Sequence, residues 1–121
     1  MWKRGFTEAN GWADVIYLPT NGAIAGWNSA AARAWVEKEV RRPVITCDDF
    51  MMPYAVLGLT KVAREQGDLA ARIALSILAG KRPADFMVSA NVQGRIFFNA
   101  ALAEKINFKP DPELQKMIGK Q

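Results

Sequence analysis

Histidine is absent from this chain of 121 residues, and cysteine occurs once, at Cys47. The commonest metal ligand and general base is therefore missing, and a Cys–His catalytic pair is excluded. A single cysteine cannot form an internal disulfide, so the cysteine content does not indicate whether the protein works in a reducing or an oxidising compartment. Cys47 closes an apolar run that starts at Val44, which predicts a buried strand residue rather than a nucleophile.

Long apolar runs are also missing. No stretch reaches the roughly 18 apolar residues of a membrane-spanning helix, and the first residues lack the apolar core of a signal peptide. The sequence as given predicts a soluble chain. Its net charge of +4 comes from 16 basic and 12 acidic residues. The basic cluster at 38–42 lies far in sequence from Lys81 and Arg82 and forms no stripe, so we expect no nucleic-acid partner.

Strand-like and helix-like segments alternate along the chain, which predicts an α/β fold with a parallel sheet. An apolar run at 15–18 is followed by helical spacing of apolar residues over 21–40 and by a second apolar run at 44–47. A crossover of this length joins two parallel, adjacent strands. The remaining predictions are an extended run at 55–61, a helix at 62–79 ended by Gly80, strands at 86–88 and 95–98, a helix at 99–106, and a last helix after Pro112.

Two loops follow the predicted parallel strands, PTNG at 19–22 and CDDFM at 47–51. Doubly wound sheets bind ligands outside the carboxyl ends of their strands. Thr20 or Asn21 can cap the next helix, whose free N–H groups would favour an anion such as a carboxylate, and nearby acids would accept from a ligand amine. The predicted ligand-binding residues are Tyr17, Thr20, Asn21, Gly22, Asp48, Asp49 and Phe50. The alternative is that Asn21 only caps a helix and that the two acids only form a turn.

Several segments, in this order and spacing, resemble one protein family. They are DVIYLPT at 14–20, RRPVITCDD at 41–49, AVLGLTKVAREQG at 55–67, ARIALSILAGKRPADFMV at 71–88 and FFNAALAEKINFKPDPEL at 97–114. From about Ala13 onward the chain is similar to the carboxy-terminal part of substrate-binding proteins of ABC transporters with a type I periplasmic-binding-protein fold. The resemblance implies a Rossmann-like three-layer α/β/α lobe, present here as an incomplete fragment of a two-lobed protein.

The family's chain path implies that residues 1–54 and 81–121 belong to the second lobe and that residues 55–80 cross to the first. It implies a periplasmic or extracytoplasmic solute-binding component of an ABC importer, which is not an enzyme and needs no cofactor. Its partners would be a small polar ligand, such as an amino acid, held between the lobes, and a membrane permease. A fragment with open sheet edges is expected to self-associate or exchange strands.

The binding loops depart from the family's pattern. Many members have Asp-Asn-Thr after Pro-Thr, where this chain has residues 21–23 as Asn-Gly-Ala, and Ala63 and Arg64 replace a Tyr-Tyr pair. At Asp48 the chain retains the acidic residue that the family has after the second strand. The resemblance therefore does not carry over the identity of the ligand.

Two other function classes remain open from the sequence. Transcription regulators use the same two-lobed fold as a ligand-sensing domain. A small enzyme or a receiver-like domain could use Asp48 and Asp49 with magnesium, because clustered acids bind that ion. The order of elements is wrong for a receiver, since no acid ends the first strand.

Overall fold

The computed structural model describes residues 1–118 and has an α/β architecture. In chain order its elements are α1 (Trp2–Trp12), β1 (Ile16–Tyr17), α2 (Ser29–Glu39), β2 (Val44–Thr46), β3 (Leu57–Lys61), α3 (Ala63–Leu78), β4 (Gly94–Phe98), α4 (Ala100–Lys105) and α5 (Pro112–Ile118), with 3₁₀ segments at Asp49–Tyr54 and Pro83–Asp85. The predicted alternation of strands and helices is confirmed.

The four strands form one sheet in the order β1-β2-β3-β4. β1 and β2 run parallel, with Ile16 opposite Val44, and β2 and β3 run parallel, with Ile45 opposite Leu57. Helix α2 supplies the long crossover that the first parallel pair requires. The predicted pairing of the first two strands and the α/β fold class with a mostly parallel sheet are therefore confirmed.

Aliphatic side chains from helices and strands fill one core. The largest fully buried apolar side chains are Met51, Leu102, Val36, Val44 and Val56. They belong to one cluster that joins α2, α4, the 3₁₀ segment after β2 and the sheet. Burying each such side chain contributes about 1.5–3 kcal/mol before the entropy cost of ordering it. These contacts hold the helices on the sheet and fix where its loops begin.

Helix α1 covers the first residues, for which the sequence analysis predicts no element. Phe6 is its buried residue. The Asn10 side chain donates to the Glu39 carbonyl oxygen at 3.1 Å and accepts from the Arg41 N–H at 3.1 Å. These two bonds tie the end of α1 to the end of α2. Tertiary contacts of this kind stabilise a helix whose two interior glycines lower its intrinsic propensity.

Helix α2 begins at Ser29 rather than at Asn21. The Asn28 side chain accepts a 2.9 Å hydrogen bond from an N–H of the first helical turn, so Asn28 is the cap. Gly26, two residues earlier, has φ +67°, a conformation that glycine adopts readily and that turns the chain before the helix. The prediction that Thr20 or Asn21 caps this helix is therefore wrong.

Two further local predictions are wrong. Residues 86–88 form no strand, because an isolated apolar run needs a pairing partner, and Met87 and Val88 are 91% and 101% exposed. Cys47 is exposed rather than buried. β2 ends at the buried Thr46, and side-chain alternation directs the next residue away from the core.

Helices α3 and α4 fall where the sequence predicts them. Gly80 follows α3 with φ +99°, the positive value that makes glycine the usual residue after a helix end. Asn99 caps α4 by accepting from the Leu102 N–H at 3.2 Å. The glycine after α3 is a short-range signal, so the end of that helix could be predicted from the sequence.

The chain divides into two compact units. Unit 1 combines Met1–Thr60 with the chain from Arg95 onward and contains the core, and unit 2 is Lys61–Gly94. Unit 2 thus lies in the chain between two strands that are neighbours in the sheet. The resemblance implies a crossing segment at 55–80, which starts earlier and ends earlier than unit 2.

Unit 2 consists of α3 and the segment after it. The Glu65 carboxylate accepts hydrogen bonds from the N–H groups of Val92 and Gln93 at 2.9 and 3.0 Å, which holds this segment to the helix. No residue of unit 2 is fully buried, and Leu75 and Leu78 are 67% and 84% exposed. Unit 2 therefore has no apolar core of its own.

The cap of α2 gives a test of where that helix begins. Asn28→Ala should lower the free energy of unfolding by about 1 kcal/mol, because it removes the cap. The matched change Asn21→Ala should alter it by no more than about 0.5 kcal/mol, because the Asn21 side chain caps no helix. Urea denaturation followed by circular dichroism measures both, and a larger loss from Asn21→Ala would contradict the observed helix start.

Candidate functional site

The loops after β1 and β2 begin side by side at one edge of the sheet. The strands are parallel, and the Leu18 N–H extends their pairing by donating to the Ile45 carbonyl oxygen at 2.8 Å. The carboxyl ends of neighbouring parallel strands are where open α/β sheets bind ligands. The structure thus brings together the two loops that the sequence predicts as a site.

A cavity of about 330 Å³ lies beside the loop that follows β1. Ten of its thirteen lining residues are apolar and three carry a polar side chain. The lining residues are Trp2, Gly5, Phe6, Ala9, Ile16, Tyr17, Leu18, Pro19, Thr20, Asn21, Ile24, Trp27 and Met51. We call this space the α1 cavity, because α1 supplies four of those residues.

Aromatic contacts order the wall of the α1 cavity. The Trp2 ring centroid lies 5.1 Å from that of Trp27 and 4.9 Å from that of Trp35, and Trp27 meets Tyr54 edge-on at 5.3 Å. The Trp27 indole N–H donates to the Tyr54 hydroxyl at 3.3 Å. Offset and edge-to-face pairs each add about 0.5–1.5 kcal/mol beyond their burial. The cavity wall is therefore held in place by packing within unit 1.

The polar rim of the cavity is formed by the turn after β1. The Thr20 hydroxyl accepts from the Gly22 N–H at 3.2 Å, and the Asn21 carbonyl accepts from the Ile24 N–H at 3.0 Å. These bonds use two of the N–H groups that the sequence analysis expects to be free for an anion. The predicted anion site at a helix start is therefore wrong. The half-buried Asn21 side chain forms no hydrogen bond with residues 1–118, so its amide can serve a ligand.

Tyr17, Cys47 and Asp48 lie together at the carboxyl ends of β1 and β2. A side-chain hydrogen bond with Cys47 is the main cause that raises the pKa of Tyr17, and the charges of Cys47 and Asp48 raise it further. Negative charge beside the phenol opposes formation of the phenolate. Tyr17 thus remains a neutral hydroxyl, able to donate or accept, over the whole physiological range.

Four of the predicted residues do not line the α1 cavity, namely Gly22, Asp48, Asp49 and Phe50. Asp49 accepts from the Phe50 N–H at 2.7 Å and lines a second, open cavity of about 510 Å³ with Arg33 and Phe97. The Phe50 side chain is exposed and does not line the α1 cavity. The structure therefore brings Tyr17, Thr20 and Asn21 to the α1 cavity and places Asp48 near Tyr17, outside the lining of that cavity.

Sequence reasoning missed the contribution of α1 to this site. Trp2, Phe6 and Ala9 recur at spacings of four and three, which places them on one helical face. That spacing could have revealed both the helix and its apolar face. The helix was not predicted because Gly5, a poor helix former, interrupts this segment.

No third acid joins Asp48 and Asp49. Among residues 1–118, no three acidic, cysteine or histidine side chains are grouped as a metal site would require. The acid pair therefore gains no third acidic, cysteine or histidine ligand from this part of the chain.

No protein-family model matches the sequence, and no curated protein matches it either. Among solved structures, the chain is similar to a "conserved domain protein" from Vibrio cholerae O1 biovar El Tor, with 18% identity and a TM-score of 0.71. The match covers 95% of this chain and 38% of that one. The two proteins share a fold over the matched region, and the chain spans about two fifths of the length of the other.

The contact between Tyr17 and Cys47 predicts a pH effect. Cys47→Ala should lower the pKa of Tyr17 toward its ordinary value of about 10, because the variant removes the hydrogen bond and the thiolate charge. Cys47→Ser keeps a hydrogen-bonding group without that charge, so we expect an intermediate pKa. Because the Tyr17 pKa is higher in the folded state than in the unfolded state, protonated Tyr17 contributes to stability at pH values below the ordinary pKa of tyrosine. That contribution is lost as the pH rises through the folded-state pKa.

Absorbance at alkaline pH measures this pKa. The Tyr17→Phe variant isolates the signal of Tyr54, the second tyrosine of the chain. An unchanged Tyr17 midpoint in Cys47→Ala would show that the thiol does not act on the phenol.

Proposed function

We propose that this chain is the carboxy-terminal part of the solute-binding component of an ABC importer. In this proposal it binds a small molecule at the loops that follow β1 and β2. The observation that carries the proposal is the α1 cavity beside the carboxyl end of β1, with Thr20 and Asn21 at its rim. A preformed apolar cavity with a few converging polar groups is the usual form of a small-molecule site.

The chain path supports a two-lobed protein. The chain leaves the sheet after β3, passes through unit 2 and returns in β4, a neighbour of β3. In a two-lobed binding protein such adjacent crossings join the lobes, and unit 2 would complete its core with the residues of the other lobe. The match to 38% of a longer protein supports the same interpretation.

The polar groups at this edge suit an amino acid or a similar polar metabolite. The Asn21 amide would donate to a ligand carboxylate, in place of the helix N–H groups that the sequence analysis assigns to that task. The half-buried Asp48 carboxylate would accept from a ligand amine or hydroxyl. The neutral Tyr17 hydroxyl can donate to a ligand carboxylate or accept from a ligand amine.

The proposed function involves binding and transfer rather than catalysis, and it needs no cofactor. The protein would act in the periplasm or at another extracytoplasmic site and deliver its ligand to a membrane permease. Across residues 1–118, none of the helices combines the length and the apolar character needed to cross a membrane.

Asp48 gives the sharpest test of the binding site. Asp48→Asn should weaken binding by about ten- to more than a hundredfold, because a hydrogen bond to a charged group contributes about 1.5–3 kcal/mol. Asp49→Asn is the matched control, since Asp49 lines the other cavity and should leave the affinity nearly unchanged. Calorimetry of the intact gene product against a panel of amino acids and polar metabolites measures both. Equal ligand affinities in the two variants would show that Asp48 does not contact the ligand.

The exposed apolar surface of unit 2 predicts self-association of the 121-residue chain on its own. Leu75 and Leu78 are exposed on α3, and in the proposed two-lobed protein the other lobe would cover them. Sedimentation should therefore show species heavier than the 13.4 kDa monomer. The double change Leu75→Glu and Leu78→Glu should shift the chain toward the monomer, whereas Arg72→Glu changes the charge of α3 without removing apolar surface. A stable wild-type monomer that unfolds cooperatively would contradict the two-lobed proposal.

A further inference from the structure

Two asparagines of this chain, Asn10 and Asn21, are each followed by a glycine. Glycine has no Cβ, so its backbone nitrogen can approach the side chain of the preceding residue with little hindrance. In an asparagine–glycine pair that nitrogen can attack the carbon of the asparagine amide. The two pairs have the same intrinsic chemistry, and the fold therefore decides which of them reacts.

The first pair is protected by its place in a helix. Asn10 and Gly11 lie within α1, where the helical backbone holds the glycine nitrogen in one conformation. The Asn10 side chain donates to the Glu39 carbonyl oxygen at 3.1 Å and accepts from the Arg41 N–H at 3.1 Å. Attack on this amide requires that both bonds break and that the end of α1 unfolds locally.

The second pair lacks these constraints. Asn21 and Gly22 lie in the turn after β1, outside the helices and strands, and Gly22 is exposed. The half-buried Asn21 side chain forms no hydrogen bond with residues 1–118. The Gly22 N–H donates to the Thr20 hydroxyl at 3.2 Å, a single exposed bond that water can replace at little cost. Both reacting groups are thus available in the folded protein.

We propose that Asn21 is a site of spontaneous chemical modification at the rim of the α1 cavity. The Gly22 nitrogen forms a bond to the carbon of the Asn21 side-chain amide. The amide nitrogen leaves as ammonia and takes up the proton of the Gly22 N–H. One water molecule then opens the cyclic imide, which leaves aspartate or isoaspartate at position 21, so an uncharged amide becomes a carboxylate.

The modification changes the charge of the cavity rim. None of the residues that line the α1 cavity is an aspartate, glutamate, lysine or arginine, so the new carboxylate is the first full charge in the lining. An ionised carboxylate only accepts hydrogen bonds, and it would repel the ligand carboxylate that the proposed function assigns to the Asn21 amide. That consequence rests on the proposed function, whereas the modification itself does not.

Trypsin allows a direct comparison of the two pairs. Its cleavage after Arg4 and after Arg33 yields one peptide that contains both asparagines. The intact gene product is incubated in its folded state, and tandem mass spectrometry of this peptide then locates each new carboxylate. Asn21 should convert at least about tenfold faster than Asn10, because two hydrogen bonds and the helix keep Asn10 from reacting. In the urea-denatured chain the two rates should be similar, because that protection is lost.

Two alanine variants test the attacking group. A Cβ at Gly22 would meet Thr20 Oγ1 at 3.4 Å, an ordinary contact, and a Cβ at Gly11 would meet no heavy atom within 4 Å, so neither substitution forces a clash. Gly22→Ala should slow the conversion of Asn21 about tenfold, because the added methyl group hinders the attacking nitrogen. Gly11→Ala is the matched control and should leave that rate unchanged.

The outcomes separate this inference from the proposed function. Faster conversion of Asn21 than of Asn10 in the folded protein, slowed by Gly22→Ala, would support the inference. Equal rates at the two sites of the folded protein, an unchanged rate in Gly22→Ala, or an Asn21 that stays an amide while the denatured chain converts both, would overturn it. Conversion of Asn21 in a gene product that binds no member of the solute panel would support the inference and count against the proposed function.

Discussion

The parallel pairing of β1 with β2 is the constraint on which the rest of this structure depends. Ile16 lies opposite Val44, and that register places the ends of both strands at the same edge. The turn after β1 and the acids after β2 therefore emerge as neighbours, although about thirty residues separate them in sequence. Any change that shifted the register by one residue would exchange the buried and exposed faces and separate the site residues.

The aromatic cluster is the second support of the site. The Trp2 ring contacts Trp27 and Trp35, Phe6 contacts Trp35, and Trp27 contacts Tyr54, so these rings tie α1 to α2 and to the turn before it. Packing among these rings keeps the α1 cavity open, because each ring is already held by its neighbours. Within residues 1–118 the Asn21 side chain at the rim has no hydrogen-bond partner, so a polar group of a ligand could reach it.

Much of the fold could be predicted from local patterns, and much of the site could not. The apolar runs of β1 and β2 and the glycine after α3 act over short distances, and the structure confirms each of them. The start of α2 was missed because Asn21 and Asn28 are equally suitable caps in sequence, and tertiary contacts of Trp27 select the second. The α1 cavity was missed because it depends on long-range packing of a glycine-containing helix against β1.

The central claim is that a small molecule binds where the carboxyl ends of β1 and β2 meet. A crystal structure of the intact gene product with a bound solute tests it most directly. We predict density for the ligand against Thr20, Asn21 and the α1 cavity, with Asp48 within hydrogen-bonding distance of its polar end. A ligand bound at the opposite edge of the sheet, or away from the loop after β1, would contradict the claim.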